Sequence, residues 1–170
     1  MKKLALISAA LLVLAACATT PAHGPVASAQ LAPTSGSTAQ GTVVFTQLAD
    51  GSVDVRAYLS GVPAGDHGFH VHEKGDCGDN GNAAGGHFNP TAAQHGAANA
   101  GHAGDFGNVT ADAKGAASTR FTTRSITVAP GANSAVGKAV ILHANADDLK
   151  SQPTGNAGGR IACGVVTLQR

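Results

Sequence analysis

From residue 41 onward the chain alternates apolar and polar residues in short runs. Thr42-Val43-Val44-Phe45-Thr46-Gln47-Leu48 and Ser52-Val53-Asp54-Val55-Arg56-Ala57-Tyr58-Leu59 flank an Asp50-Gly51 pair. A period of two puts alternate side chains on opposite faces of a strand, and Asp-Gly favours a tight hairpin turn. Further strands are predicted over residues 68–73, 107–110, 118–122, 126–128, 139–143 and 161–168. No amphipathic helical period interrupts them, so the pattern predicts an all-β, antiparallel sandwich or barrel. Residues 74–106 and 144–160 depart from it: they are long, glycine-rich and weakly apolar. Irregular stretches of that length inside a compact domain are functional loops or disordered segments.

The first 38 residues follow another pattern. Met1-Lys2-Lys3 is basic and residues 4–14 are almost wholly apolar, too short for a bilayer core that needs about 20 residues. This is the layout of an export signal. Leu14-Ala15-Ala16-Cys17 is similar to a bacterial lipobox, which predicts a signal peptide over 1–16 and a diacylated Cys17. Residues 17–38, rich in Ala, Pro, Ser and Thr, then read as the lipidated N-terminus and a flexible tether, with His23 solvated in it and the folded domain at 39–170. Ala18 stands where an inner-membrane lipoprotein often has aspartate. The expected location is therefore the cell envelope, facing the periplasm from the outer membrane of a Gram-negative bacterium.

Charge and cysteine content narrow the picture. The chain has 11 Lys and Arg against 10 Asp and Glu, and Lys2 and Lys3 leave with the signal. No basic patch of the kind that binds nucleic acid is present. With Cys17 lipidated, Cys77 and Cys163 remain, and an oxidising compartment favours a disulfide between them. Two metal-binding thiolates are the alternative, but neither cysteine has a second cysteine or a histidine at close ligand spacing.

The loops acquire meaning from histidines. Of the 8 in the chain, all but His23 fall between His67 and His143. His70 and His72 alternate in a strand-like run, so both face one side and can grip one ion. His87, His95, His102 and Asp105 follow within a single loop. Three imidazoles and a carboxylate make a closed, zinc-like ligand set, and a loop with so few apolar residues needs something of that kind to hold it. His143, alone at the end of Val140-Ile141-Leu142, reads as a buried, satisfied histidine.

The motifs together carry a resemblance. Gly65-Asp66-His67-Gly68-Phe69-His70-Val71-His72 and Gly86-His87-Phe88-Asn89-Pro90 are followed by His102-Ala103-Gly104-Asp105-Phe106-Gly107-Asn108. Asp147-Asp148-Leu149 and Gly155-Asn156-Ala157-Gly158-Gly159-Arg160-Ile161-Ala162-Cys163-Gly164 come last. In this order they resemble the copper-zinc superoxide dismutases, of the bacterial lipoprotein type, over about residues 40–170. The resemblance implies an all-β fold, an eight-stranded antiparallel Greek-key β-barrel or sandwich of immunoglobulin-like type with long metal-binding loops. It also implies one copper on His70, His72, His87 and His143, and one zinc on His87, His95, His102 and Asp105. His87 would bridge the two ions and take part in proton transfer. Asp147 would link His70 to His95, and His67 would be hydrogen-bonded rather than metal-bound. Arg160 would guide the superoxide anion toward copper, and Thr154 would narrow the channel. A homodimer and a copper-delivery protein are left open as partners. The main rival is an envelope copper or zinc carrier, which would need neither a bridging histidine nor a guiding arginine.

Overall fold

The computed structural model describes residues 24–34 and 36–170. The expected signal peptide, Cys17 and His23 lie outside the described residues. The strands are β1 (Val26–Pro33), β2 (Gln40–Gln47), β3 (Val53–Ser60), β4 (Gly65–His72), β5 (Asp105–Ala111), β6 (Ala117–Thr123), β7 (Ala139–His143), β8 (Arg160–Val165) and β9 (Thr167–Leu168). Eight of them close a ring in the order β1-β2-β3-β6-β5-β4-β7-β8, with every pairing antiparallel, and β9 adds to the free end of β1. The crossings from β3 to β4 and from β6 to β7 make it a Greek-key barrel.

The hairpin expected around Asp50-Gly51 forms as β2 and β3, in register from Gln40–Ser60 to Gln47–Val53. Gly51 takes the positive φ (84°) that the turn needs, and the Asp50 carboxylate accepts from the backbone N–H of Ser52 at 3.0 Å.

Three expectations need correction. The flexible tether drawn through residues 17–38 contains β1, whose Val26–Leu31 pairs with Thr46–Gly41 while Ala32 and Pro33 pair with Cys163 and Ala162. Ala27, Ala29 and Leu31 point inward and are buried. The alternation was there, but alanine carries too little hydrophobicity to announce it. Residues 126–128 form no strand. Ile126 and Val128 are buried in the core, and Thr127 makes only an isolated bridge to Ser134. The final run breaks at Val166, which bonds to the backbone of Gly137 and Lys138, giving β8 and β9.

The barrel interior holds Val43, Phe45, Val53, Val55, Phe69, Val71, Val109 and Leu142. Phe106 packs against Phe45, Phe69 and Phe121 with ring centroids 6.4, 5.7 and 5.0 Å away. Burying each large apolar side chain contributes about 1.5–3 kcal/mol. β7 is buried on both faces, as is the second half of β4. Phe69, Val71, Val140 and Leu142 face the core, while the alternate residues His70, His72, Ile141 and His143 face outward and are covered by the two long loops. On that outer side Cys77 and Cys163 form a disulfide (Cα–Cα 5.7 Å). Beside it Ala84, Ala139 and Ile141 make a second small apolar cluster. The disulfide pins the irregular 3₁₀ segment Asp79–Ala84 against β8.

Candidate metal centre

Backbone irregularities place the histidines. The β4–β5 register shifts between Gly68 and His70, a bulge of the kind that re-aims side chains beside functional sites. A second shift, between Leu142 and His143, sets Arg160 opposite His143. The His87 segment is laced between two chains: Phe88 N–H donates to Val71 O (2.8 Å), and Gly104 N–H donates to Phe88 O (2.9 Å). Any side chain at Gly104 would put its Cβ 2.1 Å from Val71 O, so only glycine permits this approach.

These elements gather two ligand groups, His70, His72, His87 and His143, and His87, His95, His102 and Asp105. Within each, the candidate ligand atoms lie within 4.8 Å of one another, and every residue is buried. His87 is common to both. Its Nδ1 lies 2.7 Å from Asp105 Oδ1, and its Nε2 is buried without a hydrogen-bond partner.

Four of the other rings are fixed by oxygen acceptors on their far sides. His70 Nε2–H donates to Asp147 Oδ2 (2.8 Å) and His95 Nε2–H to Asp147 Oδ1 (2.9 Å), so one carboxylate spans the two groups. His72 Nδ1–H donates to Gly85 O (2.9 Å) and His143 Nδ1–H to Gly158 O (3.1 Å). That leaves the His72 and His143 Nε2 lone pairs facing each other across 3.3 Å, an arrangement that two neutral rings cannot turn into a hydrogen bond but a cation between them satisfies. His70 Nδ1, His95 Nδ1 and His102 Nδ1 are likewise buried without hydrogen-bond partners. Buried polar atoms are normally paired, and histidine ligands normally donate their second N–H to an oxygen. The donor set therefore fits two metal ions.

Electrostatics favour the neutral form of His70, His72, His102 and His143 and the charged form of Asp105 and Asp147. Burial lowers His70 to about 4 against the opposing pull of Asp147, and lowers His143 to about 3. Burial also pushes His72 well down, helped by His87, and lowers His102. For Asp105, burial acts to raise the carboxyl. Hydrogen bonds from His87 and from the Gly96 and His102 N–H groups outweigh it and hold the group well below the usual carboxylate range. Asp147 is lowered in the same way, chiefly by His70 against the effect of burial. Neutral imidazoles and ionised carboxylates are the forms that bind metal.

Arg160 is half-buried beside the first group, and its guanidinium donates to the carbonyls of Gly81 and Gly85, the latter at 2.6 Å. The Gly85 carbonyl thus serves both His72 and Arg160. His67 lies apart from both groups, with its ring nitrogens 2.8 Å from the carbonyls of Pro63 and His143. Thr154 is half-buried in the turn at 151–156, and among the described residues it has no hydrogen bond to the cluster.

Two side chains that sequence reasoning gave no role complete the site. Asn108 Nδ2 donates to Asp147 O (2.9 Å) and its Oδ1 accepts from Asp147 N–H (2.7 Å). Gln152 Oε1 accepts from His95 N–H (2.8 Å) and its Nε2 donates to His95 O (3.0 Å). Asn108 sat inside a recognised motif. Nothing in the sequence around Gln152 signals its part.

A closed antiparallel Greek-key barrel whose loops bury a histidine shared by two ligand groups defines a binuclear metalloprotein. The family model for copper/zinc superoxide dismutase (SODC) matches residues 39–166. A solved structure of the clock protein EA4 is similar in fold, with a TM-score of 0.76 and 41% identity, over 85% of this chain and 94% of that one. The chain belongs to the copper/zinc superoxide dismutase family. It is an oxidoreductase acting on superoxide, with one copper and one zinc as cofactors. The Cys77–Cys163 disulfide suggests an extracytoplasmic protein.

Proposed function

We propose that His70, His72, His87 and His143 hold the copper and that His87, His95, His102 and Asp105 hold the zinc, for dismutation of superoxide at the cell envelope. The observation that carries this reading is His87, a member of both buried ligand groups, with Nδ1 beside Asp105 and Nε2 buried without a hydrogen-bond partner. Two superoxide anions and two protons yield dioxygen and hydrogen peroxide. Copper, when bound, supplies the one-electron couple for both half-reactions, and zinc supplies fixed positive charge.

The chain's own residues do the rest. His87 Nε2 is the nitrogen that can hold a proton and pass it to the departing peroxide, while Asp105 fixes the ring from the Nδ1 side. Asp147 orients His70 and His95 together. Arg160, held by two carbonyls, offers a positive group to the incoming anion, and Thr154 narrows the approach. Diacylation of Cys17 after removal of residues 1–16 anchors the protein to the outer membrane.

His87→Ala tests the core of this assignment. With copper reloaded and both metals quantified, superoxide removal should fall about a hundredfold or more, the scale of a lost proton-transfer group. A wild-type rate with both metals bound would overturn the bridging role.

A further inference from the structure

Gln152 lies in the 144–160 loop, far along the chain from His95, yet its amide closes a two-hydrogen-bond ring on the His95 backbone (2.8 and 3.0 Å). His95 belongs to an irregular loop, so no strand neighbour uses its N–H or C=O. Without Gln152 both groups would lose their partner. The same residue's ring is held from the other side by Asp147 at 2.9 Å, leaving Nδ1 3.1 Å from Asp105 Oδ2. The loop is also packed onto this point: a Cβ at Gly155 would meet Asp147 Oδ1 at 1.8 Å and His95 Nε2 at 2.6 Å. Gln152 itself is exposed, so removing its amide opens no core cavity. Its Nε2 additionally donates to Lys150 O at 3.2 Å, which ties the clamp to its own loop.

We infer that Gln152 is a positioning residue for zinc: it clamps the His95 backbone so that the ring presents Nδ1 to the zinc group while Asp147 holds Nε2. This inference rests on the zinc assignment made above. A glutamine is suited to the task because one amide both accepts and donates in a plane, matching the N–H and C=O of a single residue. Glutamate at this position can accept from His95 N–H but cannot donate to His95 O, and so should restore only part of the effect. The clamp works in both directions, since a zinc-ordered His95 also fixes the loop that carries Thr154 and leads to Arg160.

The test uses the full chain with its disulfide formed, titrated with zinc alone against a chelator of known affinity. Gln152→Ala should weaken zinc about tenfold, the lower end of what loss of an outer partner costs a metal site, and Gln152→Glu should fall between. Hydrogen exchange at the His95 amide should accelerate in Gln152→Ala, while the melting temperature of the metal-free protein stays at the wild-type value. Zinc affinity within twofold of wild type in Gln152→Ala would overturn the inference alone. So would an affinity loss matched by an equal loss of metal-free stability, because the role would then be general loop folding. If His102→Ala binds zinc as tightly as wild type, the zinc assignment itself falls and the inference with it.

Discussion

Arg160 is held in a way that suits the anion-guiding role proposed for it. Both guanidinium contacts go to backbone carbonyls, of Gly81 and Gly85, so among the described residues no carboxylate pairs with it and its charge stays available beside the histidines. Burial lowers its affinity for the proton somewhat, but a guanidinium remains charged. Arg160→Ala should keep both metals, slow superoxide removal about tenfold and flatten its dependence on ionic strength. Unchanged rates at every salt concentration would remove it from anion guidance. Asp147→Ala removes the acceptor shared by His70 and His95 and should weaken metal retention about 10–100-fold. Metal content surviving chelator challenge as in wild type would contradict that. The histidines and the carboxylate that the fold gathers into two groups drew attention in the sequence because imidazole and carboxylate announce their chemistry by type. Asn108 and Gln152 act through amide contacts to the backbone of residues 39 and 57 positions away, and no local pattern encodes such a pairing.

Among the elements, β1 matters most for what the sequence concealed. It joins β2 to β8 and so converts an open sheet into a closed barrel. Its inward residues are two alanines and a leucine, a signal lost in a stretch of Ala, Pro, Ser and Thr. A chain starting at residue 39 should lose cooperative unfolding and expose the edges of β2 and β8, which aggregate when unpaired. A sharp, wild-type thermal transition in that truncation would contradict the closure argument. The strands β2, β3 and β7 were legible because Val, Leu and Phe mark their inward positions. Ile126 and Val128 are just as buried but serve a loop, which periodicity over three residues cannot separate from a strand. The disulfide closes a span of 86 residues and stabilises the fold by roughly 4–5 kcal/mol on a chain-entropy basis. Cys77→Ser with Cys163→Ser should lower the melting temperature and, by freeing the Asp79–Ala84 segment, loosen the carbonyls that hold Arg160.

For the whole molecule, the buried histidines link stability to pH. In the metal-free fold His70 and His143 titrate near 4 and 3, because burial disfavours their charge, whereas an unfolded histidine titrates near about 6.5. Between those values the unfolded chain binds more protons, so stability is full above about pH 6.5 and falls as pH drops toward about 4. The lowered carboxyls of Asp105 and Asp147 act in the same direction at still lower pH. The metal-free melting temperature should therefore decline between about pH 7 and pH 4.5, and a flat profile would contradict the neutral-imidazole description. Acid also competes for the ligand nitrogens, so metal-induced stabilisation should shrink over the same range.

The most direct test of the whole account is superoxide turnover by purified residues 24–170, with copper and zinc counted in the same sample. The account predicts rapid dismutation with one copper and one zinc per chain. Both metals bound, the disulfide intact and no turnover would contradict it and leave a metal carrier built on the same ligands.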